Sequence, residues 1–426
     1  MKRYSAYKPS GIQWLPKVPA HWEVLRFGSL FKRKPAINKP EEELLSVFLD
    51  RGVIKASESD KRTHQASEDL GKYQLVEPSD FVMNNQQAWR GSVGVSDYMG
   101  IISPAYHIFP MPSCFDAHYA NYLLRDRVMV NLFDISSKGV GSIQRTLNFN
   151  WLNNGKCLLP PIEEQKRIVA YLDKKITLIE SCKCQREREL QTLNELRQAE
   201  IASVVTRGLN PNVPMKDSGI SWIGMIPAHW ETKRLASHFH NRIESNSDFE
   251  YKHAFKFNYG TIVPKEETGN PEEYHDVYVK YSKVKKNDII INGLNLNYDF
   301  VSQRVAIVPE NGIITSAYVV LRPFETTYAP YYCYLFKAMD SMKLFHAMGT
   351  GIRLTLSFDE LKKQIIPIPP VEEQKAIVDY IEKRSNRIDL LIDNLKKEID
   401  NLQEYKLRLI SDVVTGQVDV RDEEIA

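Results

Sequence analysis

The chain has 426 residues, 43% apolar and 26% charged, with a formal net charge of +2. That is ordinary globular composition and length enough for two to four domains; near-neutral charge neither marks a nucleic-acid binder nor excludes one whose basic residues gather on one face. No run approaches the roughly 18–20 apolar residues of a membrane span, the first eight residues lack a signal-peptide core, and five irregularly spaced cysteines argue against a disulfide framework, so a cytoplasmic protein is expected.

Taken in order, the chain repeats itself. Ser10-Gly11-Ile12-Gln13-Trp14 and Val18-Pro19-Ala20-His21-Trp22-Glu23 return as Ser218-Gly219-Ile220-Ser221-Trp222 and Ile226-Pro227-Ala228-His229-Trp230-Glu231, an offset of 218 − 10 = 208. Further on, 77–84 leading to 100–106 is matched by 286–292 leading to 312–318. Short β-branched and aromatic runs broken by Gly, Asn, Asp and Pro predict strands and turns. Helices are predicted over 115–133 and 330–348, followed by matching glycine loops at 138–147 and 348–356. Each segment reads as a mixed α+β domain.

After each segment comes a long helix. Pro160-Pro161-Ile162-Glu163-Glu164-Gln165-Lys166 recurs as Pro369-Pro370-Val371-Glu372-Glu373-Gln374-Lys375, an offset of 369 − 160 = 209. Prolines suit a helix start, where a missing N–H costs nothing, and paired glutamates suit the positive end of the macrodipole. A heptad then runs for roughly 45 residues. Its two rows hold Val169, Ile176, Leu190 and Val204 with Leu172, Ile179 and Leu193 in the first copy. In the second copy they hold Val378, Ile392 and Ile399 with Ile381, Ile388, Leu395 and Leu402. Lys183 and Arg186 interrupt the first copy. Residues 208–214, rich in Gly, Asn and Pro, divide the halves. The expected fold class is α+β: globular segments at 1–157 and 209–366 alternate with helices at 158–208 and 367–426. The helices are expected to pack as an antiparallel coiled coil, in a pseudo-two-fold internal repeat.

The repeat fades between shared strands, in 85–92 and 293–304. Both stretches are rich in Asn, Gln, Arg and aromatics, which can make bidentate contacts with purine edges and can stack; on composition alone, an amide-rich surface loop is the commoner explanation. Arg26, Lys32, Arg33, Lys34 and Lys138 are candidates for holding phosphates, and equally for plain surface charge. No Walker loop, His-Glu-x-x-His, paired Cys-x-x-Cys or Asn/Asp-Pro-Pro-aromatic motif occurs. With no catalytic or metal-binding pattern, the expectation is a binding and organising protein rather than an enzyme.

The doubled Pro-Pro-x-Glu-Glu-Gln-Lys opening, the 7–15 and 19–22 motifs, and 84–106 with 141–147 resemble the specificity subunit of Type I restriction–modification systems, over essentially the whole chain. The resemblance implies two target recognition domains, 1–157 and 209–366, each reading half of a split, asymmetric double-stranded DNA target, with the long helices as spacer. It implies two modification subunits methylating adenine N6 with S-adenosylmethionine, and restriction subunits using ATP and magnesium; this chain itself would hold no cofactor, metal or catalytic residue. The DNA-binding residues expected on this basis are Asn85, Gln86, Gln87, Trp89, Arg90, Lys138 and Arg145 in the first half, and Asn295, Asn297, Tyr298, Gln303, Arg304 and Arg353 in the second. Glu163, Glu164, Gln165, Lys166, Glu372, Glu373, Gln374 and Lys375 are expected to bind partner subunits. A free-standing coiled-coil scaffold without a DNA role and an orphan DNA-binding regulator are the alternatives.

Overall fold

A computed structural model of the chain describes residues 2–58, 70–140, 144–241, 244–266, 270–298 and 303–423. Two compact units emerge: Met1–Arg186 with Lys397–Ala426, and Glu187–Lys396. The long helices are Ile162–Arg207 and Val371–Val414, of 46 and 44 residues, close to the length read from the heptads. Each unit therefore holds one globular segment, the first part of the helix that follows it and the last part of the other helix.

Both helices start where the prolines dictate. The amides of Glu164 and Gln165 donate to the carbonyl of Pro161, and that of Gln374 to Pro370. Both stop at a left-handed glycine, Gly208 (φ 73°) and Gly416 (φ 71°), whose amides donate back to Val204 and Val413, satisfying orphan carbonyls of the last turn. From Gln165 to Val204 and from Gln374 to Val413, every seam position is buried or half-buried. Four polar members of the seam, Arg186, Arg197, Glu200 and Lys406, are paired between the helices. In the first unit Glu180 meets Lys406 at 2.7 Å and Arg186 meets Glu398 at 2.9 Å. In the second, Arg197 meets Asp389 at 2.6 Å and Arg384 meets Glu200 at 3.0 Å. Within each unit the partner's number falls as the first helix's number rises.

The first unit is cored by Trp22, Phe27, Phe31, Phe81, Phe109, Tyr119 and Phe133, onto which Ile168, Leu172, Leu409 and Val413 of the helices pack. Its central antiparallel sheet runs Tyr106–Phe109, Phe81–Asn84, Val93–Val95. In the second unit, strands Phe239–His240, Val319–Pro323, Ile289–Ile291 and Val305–Ile307 pair in that order, over a core that includes Trp230, Tyr331, Tyr332 and Phe336 with Val205, Ile377 and Ile381. The predicted medium helices are each split in two. The first breaks between Arg125 and Arg127, because Asp126 takes an extended conformation and caps the amide of Val128. The second breaks between Ser341 and Leu344, where Lys343 adopts φ 60°. The predicted glycine loop at 138–147 is a hairpin of Ser137–Val140 with Gln144–Leu147; its tip lies outside the described residues. In the second unit a single bridge, Thr350 to Thr355, closes the corresponding turn.

The helix-terminating glycines are tightly boxed. A Cβ on Gly416 would stand 2.4 Å from Pro19 Cδ and 3.1 Å from the Trp22 ring. Gly416→Ala combines left-handed strain, on the order of 1–3 kcal/mol, with that clash. It should lower the melting temperature of the chain, while Gly351→Ala, whose Cβ would meet nothing within 4 Å, should show the strain alone. Thermal denaturation of both variants checks the difference.

Candidate DNA interface

In the first unit, strand Phe81–Asn84 ends in a built turn. Asn84 Oδ1 accepts the amides of Gln86 at 2.9 Å and Gln87 at 3.1 Å, an Asx turn. One 3-10 turn, Ala88–Arg90, follows and Gly91 closes it at φ 97°. Trp89 is pinned by donation from its Nε1 to the Gln86 carbonyl at 3.0 Å. The hairpin 137–147 lies alongside: the Leu147 amide donates to Asn85 Oδ1 at 3.4 Å, and the Arg145 guanidinium, tethered to Asp134, stands 4.4 Å over the Trp89 ring. Arg90 lies 5.6 Å from that ring. Asn85, Trp89, Arg90 and Arg145 are thus one cluster, edged by exposed Gln86 and half-buried Gln87. Lys138, on the same hairpin, lies 4.4 Å over the ring of Trp151.

Trp151 is 48% exposed and was not anticipated; its signal was an aromatic just past the glycine loop. Opposite Met83 on the neighbouring strand, His107 is buried with neither ring nitrogen hydrogen-bonded among the described residues, edge-on to Phe149 at 4.6 Å. Burial, helped by nearby Arg33, pushes its pKa down to about 4, so it is a neutral wall.

The second unit repeats the frame. Asn292, 208 residues after Asn84, accepts the amide of Leu294 at 3.2 Å. The loop is then sewn to the glycine turn: Leu296 and Leu356 amides donate to Leu354 and Gly293 carbonyls, and Asn297 Nδ2 to the Ile352 carbonyl at 3.4 Å. A side chain on Gly293 would meet the Leu356 oxygen at 2.4 Å, so the two segments touch backbone to backbone. Tyr298 is 79% and Ile352 98% exposed, with Asn295, Gln303 and Arg353 also exposed around them. The result is a polar, aromatic surface with two free-standing large side chains, open to a flat ligand and holding no metal-binding group among the described residues.

Residues 227–401 match the Type I restriction modification DNA specificity domain. The chain is a relative of the Type I specificity subunits. It is 25% identical over 373 residues to a putative Type I restriction enzyme MjaX specificity subunit of Methanocaldococcus jannaschii, covering 83% of this chain and 81% of that one. To the MjaVIII specificity subunit of the same organism it is 23% identical over 440 residues, covering 95% of each. The EcoBI specificity subunit of Escherichia coli is 26% identical over 262 residues, covering 57% and 53%. The fold is similar to a chain solved in work on complex assembly and conformational transition of the type I R-M system (TM-score 0.67, 15% identity, 94% and 99% covered). It also resembles the HsdS subunit of Thermoanaerobacter tengcongensis (TM-score 0.52, 16% identity, 94% and 98% covered).

For this specificity-subunit relative, several expected contact residues have internal duties instead. Arg304 is 2% exposed; its guanidinium donates to the carbonyls of Asn292 at 3.0 Å and Leu294 at 2.8 Å, and its amide donates to Asp340 at 2.8 Å. It shapes the loop and does not face a ligand. Lys34, offered for phosphate, is held by Asp80 at 2.7 Å and by Glu77; burial opposes its charge, but those two hydrogen bonds outweigh it and raise its pKa. Arg26, Lys32 and Arg33 stay exposed. Of the helix-start residues, Glu164, Gln165 and Gln374 are buried. Gln165 Nε2 donates to the carbonyls of Cys114 and Pro160, and Gln374 Nε2 to Pro369. Glu373 sits beside His229 and Trp230. Glu163, Lys166, Glu372 and Lys375 are exposed and form local pairs, so they remain available to a partner.

Arg304→Ala should therefore destabilise the chain by about 2–4 kcal/mol, because the carbonyls of Asn292 and Leu294 lose a charged donor. Arg353→Ala should stay within about 0.5 kcal/mol, as an exposed change does. Denaturant unfolding of the two variants decides it; equal stabilities would contradict the assignment.

Proposed function

We propose that the chain is the DNA-reading, non-catalytic subunit of a Type I restriction–modification complex and that it reads a bipartite, asymmetric target. The observation that carries this is the same frame in both units holding different loops. Asn84 and Asn292 begin matching turns 208 residues apart, yet one, with the hairpin beside it, presents Trp89, Arg90 and Arg145 and the other, with the glycine turn beside it, Asn295, Tyr298 and Arg353. A protein with two equivalent frames meets DNA at two half-sites, and unequal loops make those half-sites differ. Arginine and amide groups suit guanine and adenine edges, and exposed aromatics suit thymine methyls or stacking.

On this reading the globular segments are the target recognition domains. The helices form an antiparallel coiled coil that relates the halves by a pseudo-two-fold repeat and sets the gap between half-sites. Exposed Glu163, Lys166, Glu372 and Lys375 offer docking points to methyltransferase subunits. S-adenosylmethionine, ATP and magnesium belong to the partner subunits, and the assembly works in the cytoplasm. No helix among the described residues is long and apolar enough to cross a membrane, which agrees with that location.

Replacing residues 84–92 with an unrelated loop of equal length should change one half of the recognised sequence and leave the other intact. Adenine methylation mapped genome-wide, in a host carrying the chain with a modification subunit, reads this out. Bases altered in both half-sites, with assembly preserved, would contradict the modular reading. A chain that supports no sequence-specific methylation but still joins other proteins would favour the scaffold instead.

A further inference from the structure

The second unit carries an unusual hairpin. Strands Phe255–Asn258 and Thr261–Pro264 pair antiparallel, with Asn258 opposite Thr261, so the connection is just Tyr259-Gly260. Both residues are left-handed, at φ 42° and 77°. Two positive φ angles make the type I′ turn that fits the twist of a two-residue hairpin, and that turn favours Asn-Gly. A tyrosine in its first position costs on the order of a factor of ten or more in local stability. The side chain recovers little by packing, because Tyr259 is 75% exposed. A strained and solvent-exposed aromatic at a tight tip points to a contact made with something else.

Its place identifies the partner. A Cβ on Gly260 would meet the Gln303 side chain at 2.5 Å, so the tip abuts the end of the loop that bears Tyr298. The hairpin is anchored by buried Phe255 and by Phe257 against Tyr318 at 5.8 Å, which fixes the tip relative to that loop. The first unit has a counterpart 208 residues earlier. Gly52 (φ 75°) closes the hairpin of Leu45–Phe48 with Gly52–Lys55 and lies 3.1 Å from the Cβ position of Gly94, just beyond the loop 84–92. Arg125 fixes that tip by donating to the carbonyls of Leu49 at 3.2 Å and Asp50 at 2.7 Å. The residue before the glycine is here Arg51, exposed and resting 5.0 Å over the Phe48 ring. The corresponding tip, a two-residue connection in one unit and the three-residue Leu49-Asp50-Arg51 in the other, therefore presents an aromatic ring in the first case and a guanidinium in the second.

We propose that these two hairpin tips are a second element of the DNA interface: Tyr259 packs its ring on a base of one half-site, and Arg51 grips a phosphate of the other. This rests on the DNA-reading function above. A ring contact helps select bases through stacking or a thymine methyl; a phosphate contact positions without selecting.

The test uses the full chain assembled with its modification subunit and a duplex carrying the motif that the wild-type complex methylates. If the wild-type complex methylates no defined motif, the DNA-reading function fails and the hairpin question falls with it. Given a motif, Tyr259→Gly relieves the backbone strain, so its melting temperature should hold or rise while affinity for the motif falls about tenfold and base preference relaxes in one half-site only. Tyr259→Phe should bind as the wild type does. Arg51→Ala should weaken binding to all sequences and lower the slope of log affinity against log salt by about one. Tyr259→Gly binding within twofold of wild type with an unchanged motif would overturn the proposal. So would a loss shared equally by an unrelated duplex, relaxation in both half-sites, or an unchanged salt slope for Arg51→Ala.

Discussion

Everything in each unit hangs on a carboxylate in the first turn of a long helix. Glu164 is 6% exposed and accepts from the Tyr4 hydroxyl at 2.6 Å and the Trp22 indole at 2.9 Å, with His21 Nε2 at 2.7 Å. Glu373 repeats the motif with the Trp230 indole at 3.0 Å and His229 at 2.8 Å. A helix N-terminus favours an anion, but a buried anion needs donors as well, and the Pro-Ala-His-Trp segment supplies them. The same tryptophan rings lie against the glycine that ends the other helix, Gly416 for Trp22 and Gly208 for Trp230. One constraint thus sets how a globular segment sits on the start of its own helix and the end of the other.

The second layer is a buried ion pair under the central strand. Asp80 accepts the Glu77 amide and holds Lys34; Asp288 accepts the Lys285 amide and holds Arg322 at 2.9 Å. Ser79 and Asn287, just before them, share a left-handed φ of 71° and 72°. The turn is kept while the cation changes from a lysine in the irregular segment after Leu30 to an arginine on strand Val319–Pro323. The loops that start four residues later are free to differ because this frame does not depend on them. Support for them is local: an Asx turn with a stacked Trp89–Arg145 pair in one unit, a buried Arg304 in the other.

Much of this was legible in the sequence. Tandem prolines, glutamates and a two-row heptad give a helix whatever surrounds them, and a fixed offset reveals equal units. Aromatic and amide-rich stretches between matched strands pointed to the surface that the structure assembles from 85–90 and 137–147. What escaped was residue fate within a motif. Glu164, Gln165 and Gln374 are charged or polar at a helix start, and only the fold reveals that Pro-Ala-His-Trp and the proline carbonyls meet them. Arg304 sits in a loop rich in candidates, and nothing local says that carbonyls of 292–295 will enclose it. Tyr259 was missed for a different reason: a left-handed backbone at tyrosine has no composition signal.

The proposal that the paired helices set the gap between two half-sites meets its most direct test in a matched shortening. Deleting residues 183–189 and 392–398 removes one heptad from each helix and keeps the seam in phase. Seven residues at 1.5 Å are about 10 Å, or roughly three base pairs at ~3.4 Å per pair. Methylation mapping of the shortened chain with its modification subunit should return both half-site sequences unchanged, with the unspecified gap between them reduced by about three base pairs. An assembled, active variant that keeps the original gap would contradict the account.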